Sequence, residues 1–355
     1  MDPHEIRDIL KFGILAPSAD NSQPWKFKIS PDQIDLFLDP KQTDSFCDQK
    51  FFVPYLSAGA VIENIRVAAA KRGTSVSVSY LPNSVRLDFV ATIKFGQHKE
   101  NTQSHFPALE KRTTNRKFYS SKNIEPTTYS KLERTFENES NFRLLWIKKN
   151  DSKFGQLGKI LGQSDRLRFE VKRVHEEFIQ ILRLTRMDSE RTRDGLDFKT
   201  LESGPGSILL FKLISSWNRL NLLNKIGLSS MFNFYTQLQI QSSQACGLII
   251  SKKHAPLQYV QGGEIMQRFW HEATVQNLSL QPMEALPIFL IQLKESGCKD
   301  FNVQQINELK HLKSKFYSLF SIEEDNGLIF LFRIGYAKNP SSRSLRRPPE
   351  SFLVK

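Results

Sequence analysis

The chain has few of the residues that build covalent frameworks or metal sites. Its three cysteines, Cys47, Cys246 and Cys298, are odd in number and far apart. That excludes a disulfide-stapled small domain and implies free thiols in a reducing compartment. The seven histidines form no His-Glu-x-x-His pair and there is no Cys-x-x-Cys, so no metal site is expected. Gly-x-Gly-x-x-Gly and Gly-x-Ser-x-Gly are absent, and Gly158-Lys159 is followed by Ile160 where a P-loop needs a hydroxyl. With neither nucleophile motif nor metal, no protein side chain is expected to be catalytic. The best candidate for a membrane span, residues 208–228, is broken by Lys212, Asn218, Arg219, Asn221, Asn224 and Lys225. No span is therefore expected, and an amphipathic surface helix is the alternative there. Met1-Asp2-Pro3-His4-Glu5 is polar and acidic, unlike an export signal, so a cytoplasmic protein is expected.

What is present suits one large or two ordinary domains: 355 residues, 39% of them apolar, with 27 Phe to bury. The net charge of +13 favours anionic partners in general. Lys and Arg are scattered among acids, however, and no basic face is interleaved with aromatics as in a nucleic-acid module. A nucleic-acid binder is the rival class, and it is not the expectation.

The most informative stretch is Ala16-Pro17-Ser18-Ala19-Asp20-Asn21-Ser22-Gln23-Pro24-Trp25. Ile6, Ile9 and Leu10 before it recur at helical spacing behind a plausible Asp2 cap, and Phe27, Ile29, Ile34, Leu36 and Leu38 after it alternate as strands do. Between them lies a run of amides, hydroxyls and backbone N–H groups of the kind a polar anionic ligand needs. An ordinary helix-to-strand turn uses the same residue types.

The order Pro17-Ser18-x-x-Asn21-x-Gln23-Pro24-Trp25 resembles the FMN-binding loop of the nitroreductase family. The resemblance implies FMN contacts from Pro17, Ser18, Asn21 and Gln23. Farther on, Arg112-x-Thr114-x-Arg116 matches the family's phosphate-binding segment, and a phosphate dianion suits two guanidiniums with a hydroxyl between them. By the same resemblance Pro282 and Met283 lie along the flavin ring, mostly through main-chain atoms. Arg346, with Arg347 next, is the terminal basic residue that reaches the phosphate; a basic disordered tail is the alternative.

In the family the basic segment precedes the amide loop, whereas here it follows by about ninety residues. That order looks like two nitroreductase-like units fused as an intramolecular pseudo-dimer, a monomer holding one FMN. The expected fold is α+β, with a first unit over 1–100 and a second over 105–355. A helix over 57–71 is expected to recur around 262–274. Gly59 and Gly263 stand 204 residues apart, as do Ala69 and Ala273, with chance likeness of two amphipathic helices as the alternative. Strands are expected over 76–80, 85–89, 90–95, 142–147, 287–293 and 328–334. Helices are expected over 125–139, 166–186 and 302–320.

Residues 151–233 have no counterpart in a compact nitroreductase. Arg193-Asp194-Gly195-Leu196 resembles a signature of the family's tandem branch, where an insertion folds over the flavin as a lid. A peripheral helical insertion is the alternative. The resemblance implies an FMN-dependent oxidoreductase passing hydride from NAD(P)H to a nitroaromatic or quinone-like acceptor. The alternative is a flavoprotein that sequesters or stores FMN with little turnover.

Overall fold

The computed structural model describes residues 1–43, 50–98, 105–204 and 206–354. Cys47 lies outside them; Cys246 and Cys298 are buried and unbonded.

The chain opens with helix α1 (Pro3–Gly13). The Asp2 carboxylate accepts from the backbone N–H groups of His4 and Glu5 at 2.7 and 2.9 Å, and Glu5 returns a bond to the Asp2 N–H. This capping box starts the helix where Pro3 permits it. The chain then forms strands β1 (Trp25–Ser30) and β2 (Gln33–Leu38), helix α2 (Phe52–Lys71), and strands β3 (Thr74–Tyr80) and β4 (Phe89–His98). The sheet is antiparallel throughout, in the order β1-β2-β4-β3. The strand expected over 85–89 is a turn up to Asp88, because Asn83 Oδ1 caps the N–H groups of Val85 and Arg86 and leaves Val85 88% exposed.

From residue 105 the chain carries α3 (Phe106–Lys111), α4 (Pro126–Glu133), β5 (Phe142–Lys148), α5 (Phe154–Arg168), α6 (Lys172–Ile181), β6 (Leu182–Arg183) and α7 (Arg186–Thr192). It continues through β7 (Leu196–Asp197), α8 (Ser207–Leu213), α9 (Trp217–Asn224), α10 (Leu228–Ser242) and β8 (Ala245–Ser251). Last come α11 (Pro256–Val275), β9 (Ser279–Pro282), α12 (Ala285–Ser296), α13 (Val303–Phe320) and β10 (Gly327–Gly335). Its main sheet there is again antiparallel, in the order β5-β8-β10-β9. The strand expected over 287–293 lies inside α12. That run is apolar almost throughout and carries no period that separates a buried helix from a buried strand. The strand that does follow α11 is the short β9.

The two sheets share one plan: first, second, fourth, third strand, with a 20-residue helix between the second and third. Those helices, α2 and α11, cross at Gly59 and Gly263. A Cβ on Gly59 would stand 1.9 Å from the Val260 carbonyl oxygen, and one on Gly263 2.1 Å from that of Leu56. Flanking contacts follow the same two-fold logic. Glu63 pairs with Arg268 (Nε to Oε1, 3.2 Å) and Asn64 with Gln267 (2.8 Å); by the 204-residue spacing, Glu63 is the counterpart of Gln267 and Asn64 of Arg268. Tyr55 and Tyr259, both buried, are counterparts as well.

The insertion begins later than expected. Helix α5 packs on α10, and Leu157, Ile160, Leu161 and Leu167 share a core with Leu248, Phe289 and Phe316. Only about 169–227 stands apart, around Phe169, Phe178, Leu182, Leu196, Phe211, Ile214 and Leu220. The helix expected over 166–186 is interrupted after Arg168 and again where β6 pairs with β7.

The crossing generates a stability prediction. Gly59→Ala or Gly263→Ala forces two backbones apart and should cost about 3 kcal/mol or more. Gly155→Ala, where a Cβ meets nothing within 4 Å, should stay within about 0.5 kcal/mol of the parent. Urea unfolding midpoints of the three variants check this; a tolerated alanine at Gly59 would mean that the two helices do not depend on close backbone contact.

Candidate functional site

A cavity of about 660 Å³ opens beside the crossing, walled by the loop after α1, the segment after α3, the β9–α12 junction, the C-terminal tail and the 169–227 segment. Its volume is that of a site for a drug-sized or cofactor-sized ligand.

The loop is held in an uncommon shape. Asp20, Asn21 and Gln23 have φ of 51°, 57° and 53°, a left-handed conformation that costs non-glycine residues energy unless neighbours impose it. The neighbours are specific. Ser18 Oγ accepts from the Gln23 N–H at 2.9 Å, and Asn21 Nδ2 donates to the Leu345 carbonyl at 3.1 Å. The fully buried Gln23 side chain donates to the carbonyls of Asn21 and Arg193 and accepts from the Arg347 N–H at 2.9 Å. Loop, insertion and tail meet on that one amide.

Three guanidiniums gather at the C-terminal end of α1. Arg112 donates to the Leu15 carbonyl at 2.9 Å and lies over the Trp270 ring. Arg346 donates to the carbonyls of Ile14, Leu15 and Ala16 and to Asn21 Oδ1 at 2.7 Å. Arg343 bonds the carbonyls of Lys111 and Arg112. The helix dipole and free carbonyls there attract cations. Burial pushes the Arg112 pKa well down, and the like charges of Arg346 and Arg343 push it further; burial and then Arg343 bring Arg346 to about 10. Among the described residues no carboxylate is paired with Arg112 or Arg346, and the buried Arg112 Nε has no partner. Arg343 is exposed and Arg346 half-buried, so the unmet charge is that of Arg112 above all, a guanidinium suited to an anion.

Of the residues singled out in the sequence, Pro17, Ser18, Asn21, Arg112, Thr114, Arg116, Pro282 and Arg346 line the cavity. Three do not. Gln23 is buried behind the loop. Arg347 turns away over the Phe352 ring and donates to the carbonyls of Ser22 and Gln23. The Met283 side chain sits in the second core and its N–H is spent on the Leu331 carbonyl. Arg116 also stands apart from the trio: it donates to the Thr200 carbonyl at 3.0 Å, and its charged neighbours are Asp20 and Arg168. Thr114 forms a single bridge to Leu280 at the edge of β9. Sequence reasoning missed Arg343, whose spacing of three from Arg346 was the available signal, and Glu284, for which there was none.

No family model matches the chain. It is 25% identical over 349 residues to an uncharacterized protein of Mycobacterium tuberculosis (strain CDC 1551 / Oshkosh), covering 98% of this chain and 48% of that protein. Over 100 residues it is 32% identical to acg of the same strain, a proposed NAD(P)H nitroreductase, covering 28% of this chain and 30% of that protein. The chain thus spans about half the length of the first relative and under a third of the second. Among solved structures, the FMN and NADPH-dependent nitroreductase NfnB from Sphigopyxis sp. strain HMH aligns with 70% of this chain and 96% of its own, at 10% identity and a TM-score of 0.38. A nitroreductase-like family protein from Bacillus cereus aligns with 70% and 93%, at 11% identity and a TM-score of 0.36. Scores at that level carry no functional inference.

Glu284, at the start of α12, occupies the apolar side of the cavity near Val53, Leu56 and Ile288. One carboxyl oxygen accepts from the Leu331 N–H at 2.8 Å. Burial raises its pKa to about 8 against that single favourable bond. The native state therefore holds a proton here that the unfolded chain gives up at its ordinary value near 4.5. Stability is fully present below that value and falls as pH rises towards 8. Glu284→Gln should abolish this loss, so its advantage over the parent should grow between pH 5 and 8 and then level off. Denaturant midpoints across that range provide the measurement; parallel curves would mean that the carboxyl is already ionised at neutral pH.

Proposed function

We propose that the cavity binds FMN and that the chain is an FMN-dependent oxidoreductase of nitroreductase type. It would pass hydride from NAD(P)H to nitroaromatic or quinone-like acceptors. The observation that carries this reading is the trio of Arg112, Arg343 and Arg346, with no paired acid among the described residues and with the Arg112 Nε unpartnered among them, beside the Pro17–Gln23 loop. The relatives' names point in the same direction.

The residues present fit the cofactor. Arg112 and Arg346 would take the phosphate, and Ser18 and Asn21 would serve the ribityl hydroxyls. The wall of Pro282, Met266 and Leu56 would receive the ring. When bound, FMN supplies the redox chemistry through N5 of its ring, and no side chain need act as nucleophile. The chain's share is to orient the ring and exclude water. The shared strand plan and the glycine crossing support two fused units forming one pseudo-dimer with a single site. A reducing, cytoplasmic setting fits the unbonded cysteines.

A second reading, sequestration of FMN, is favoured by the 169–227 segment. Phe178, Leu196 and Phe211 of that segment wall the cavity. Its Arg193 bonds both the loop and the tail, donating to the Arg346 carbonyl at 2.7 Å. Such a lid would deny a nicotinamide its stacking position.

Two measurements test these readings. Titration should saturate at one FMN per chain, and Arg112→Ala should weaken binding by about 1.5–3 kcal/mol, the worth of a charge-assisted bond. Arg116→Ala, away from the trio, should weaken it less. Full flavin retention in a folded Arg112→Ala protein would remove the phosphate assignment. Anaerobic mixing with NADPH should bleach the bound flavin within seconds, and a nitro compound should restore it. If neither NADPH nor NADH bleaches a flavin that dithionite still reduces, the sequestering reading replaces the enzymatic one.

A further inference from the structure

Helices α8, α9 and α10 are apolar on two faces. Inward, Phe211, Ile214 and Leu220 fill the insertion's own core. Outward, the same helices expose Leu209 and Leu213, four residues apart on α8. They also expose Leu222 and Ile226, four apart at the end of α9, and Met231 and Phe234, three apart on α10. Ile226 is 82% and Leu209 69% exposed. A surface helix in water ordinarily turns polar side chains outward, and exposed apolar groups clustered in this way mark an interaction surface.

These helices themselves carry positive charge only; the acids that reach them come from other elements, Glu170 bonded to Ser229 and Asp165 to Thr236, each also paired with an arginine. No Asp or Glu occurs between Glu202 and Glu264, while Lys212, Arg219 and Lys225 lie exposed among the apolar residues. Arg219 also closes α8 by donating to the Lys212 carbonyl and to Ser215 Oγ. Apolar side chains flanked by the exposed cations Lys212, Arg219 and Lys225 match the interface of an anionic bilayer. An acidic protein would satisfy the cations, but it would leave three pairs of aliphatic and aromatic groups in water. No helix among the described residues is long and apolar enough to cross a membrane, so the mode would be interfacial.

We propose that the outer face of α8, α9 and α10 docks this protein on anionic lipid surfaces, with Leu222, Ile226 and Phe234 entering the headgroup boundary and Lys212 and Lys225 meeting lipid phosphates. The inner faces of the docked elements roof the cavity through Phe211, Phe232 and Tyr235. A ligand dissolved in the bilayer would then approach the cavity through its cover. The proposal stands on exposure and charge, and is independent of what the cavity holds.

Co-sedimentation with vesicles tests it. The full chain should bind vesicles of phosphatidylcholine containing phosphatidylglycerol and bind pure phosphatidylcholine far less. Lys212→Gln with Lys225→Gln should lower the affinity roughly ten- to thirtyfold. Leu222→Glu with Ile226→Glu, both exposed and remote from the cavity, should abolish binding while the thermal midpoint stays unchanged. Failure to bind anionic vesicles overturns the proposal. So does undiminished binding of the folded Leu222→Glu, Ile226→Glu protein, since the net charge alone would then be responsible. Concentration-dependent dimers that those glutamates dissolve, without vesicle binding, would assign the face to a second copy of the chain and overturn it equally.

Discussion

The architecture depends on two backbones coming closer than any side chain permits. Where α2 meets α11, the glycine Cα atoms occupy space that a single methyl would contest with a carbonyl oxygen. Close approach multiplies contacts along two 20-residue helices and fixes their crossing without a protruding side chain to set the angle. It also fixes where the two sheets stand, since each helix is joined to the second and third strands of its own sheet. The cavity lies at the flank of this junction, with Leu56 and Met266 supplying one wall from the two crossing helices. A looser crossing would move both walls together. The site therefore inherits its dimensions from the packing of the fold.

A second constraint concerns charge. Arg112, Arg343 and Arg346 are brought to one place by two separate backbone routes, the segment after α3 and the tail, and the carbonyls that end α1 hold Arg112 and Arg346 there. Neutral carbonyls take the Arg346 donors and one nitrogen each of Arg112 and Arg343, but they do not neutralise the charge. That arrangement is stable enough to fold and still leaves free energy to be gained from an anion, which is how a binding site differs from a structural ion pair. The contrast with Arg268 is instructive. It is half-buried, and Glu63 and Glu139 hold its pKa above the ordinary value.

Local signals in the sequence carried several helix starts and most of the first sheet, while the resemblance pointed to part of the cavity wall. Asp2 and Glu5 cap α1, Pro17 follows its end, and the alternation of 34–38 became β2. The 204-residue spacing of Gly59 and Gly263 was visible as numbers; that the two glycines touch was not, because no sequence pattern states which helices cross. Two kinds of reading went astray. Apolar runs without period, such as 287–293, do not declare helix or strand, and tertiary burial decided it. Residues placed by resemblance were assigned to a ligand when their nearest need was the protein itself. Gln23 and Arg347 hold the loop, insertion and tail together, and Met283 fills the core. The insertion's start was obscured because α5 is as charged as a solvated helix, yet it hides one apolar stripe against α10.

The manner in which the 169–227 segment is attached bears on whether the cavity opens. Its apolar residues form a core of their own, apart from the two larger ones. Its links to the loop and tail are polar and lie at the rim: Gln23 to the Arg193 carbonyl, Arg193 to the Arg346 carbonyl, Arg116 to the Thr200 carbonyl, and Glu202 to Ser341. Each such bond contributes about 1 kcal/mol net, since water replaces it when it breaks. These rim bonds alone hold it weakly, but Phe232 of α10 stacks on Phe169 and Val171 reaches the second core, so the segment is also tied to its neighbours by apolar contact. What also opposes its departure is the apolar lining that Phe178, Leu196 and Phe211 turn towards the cavity. A flat apolar ligand against those side chains would strengthen closure, and an apolar surface on the outer side would compete for the same helices. Access to the cavity is thus set by a contest between what lies beneath the segment and what lies above it.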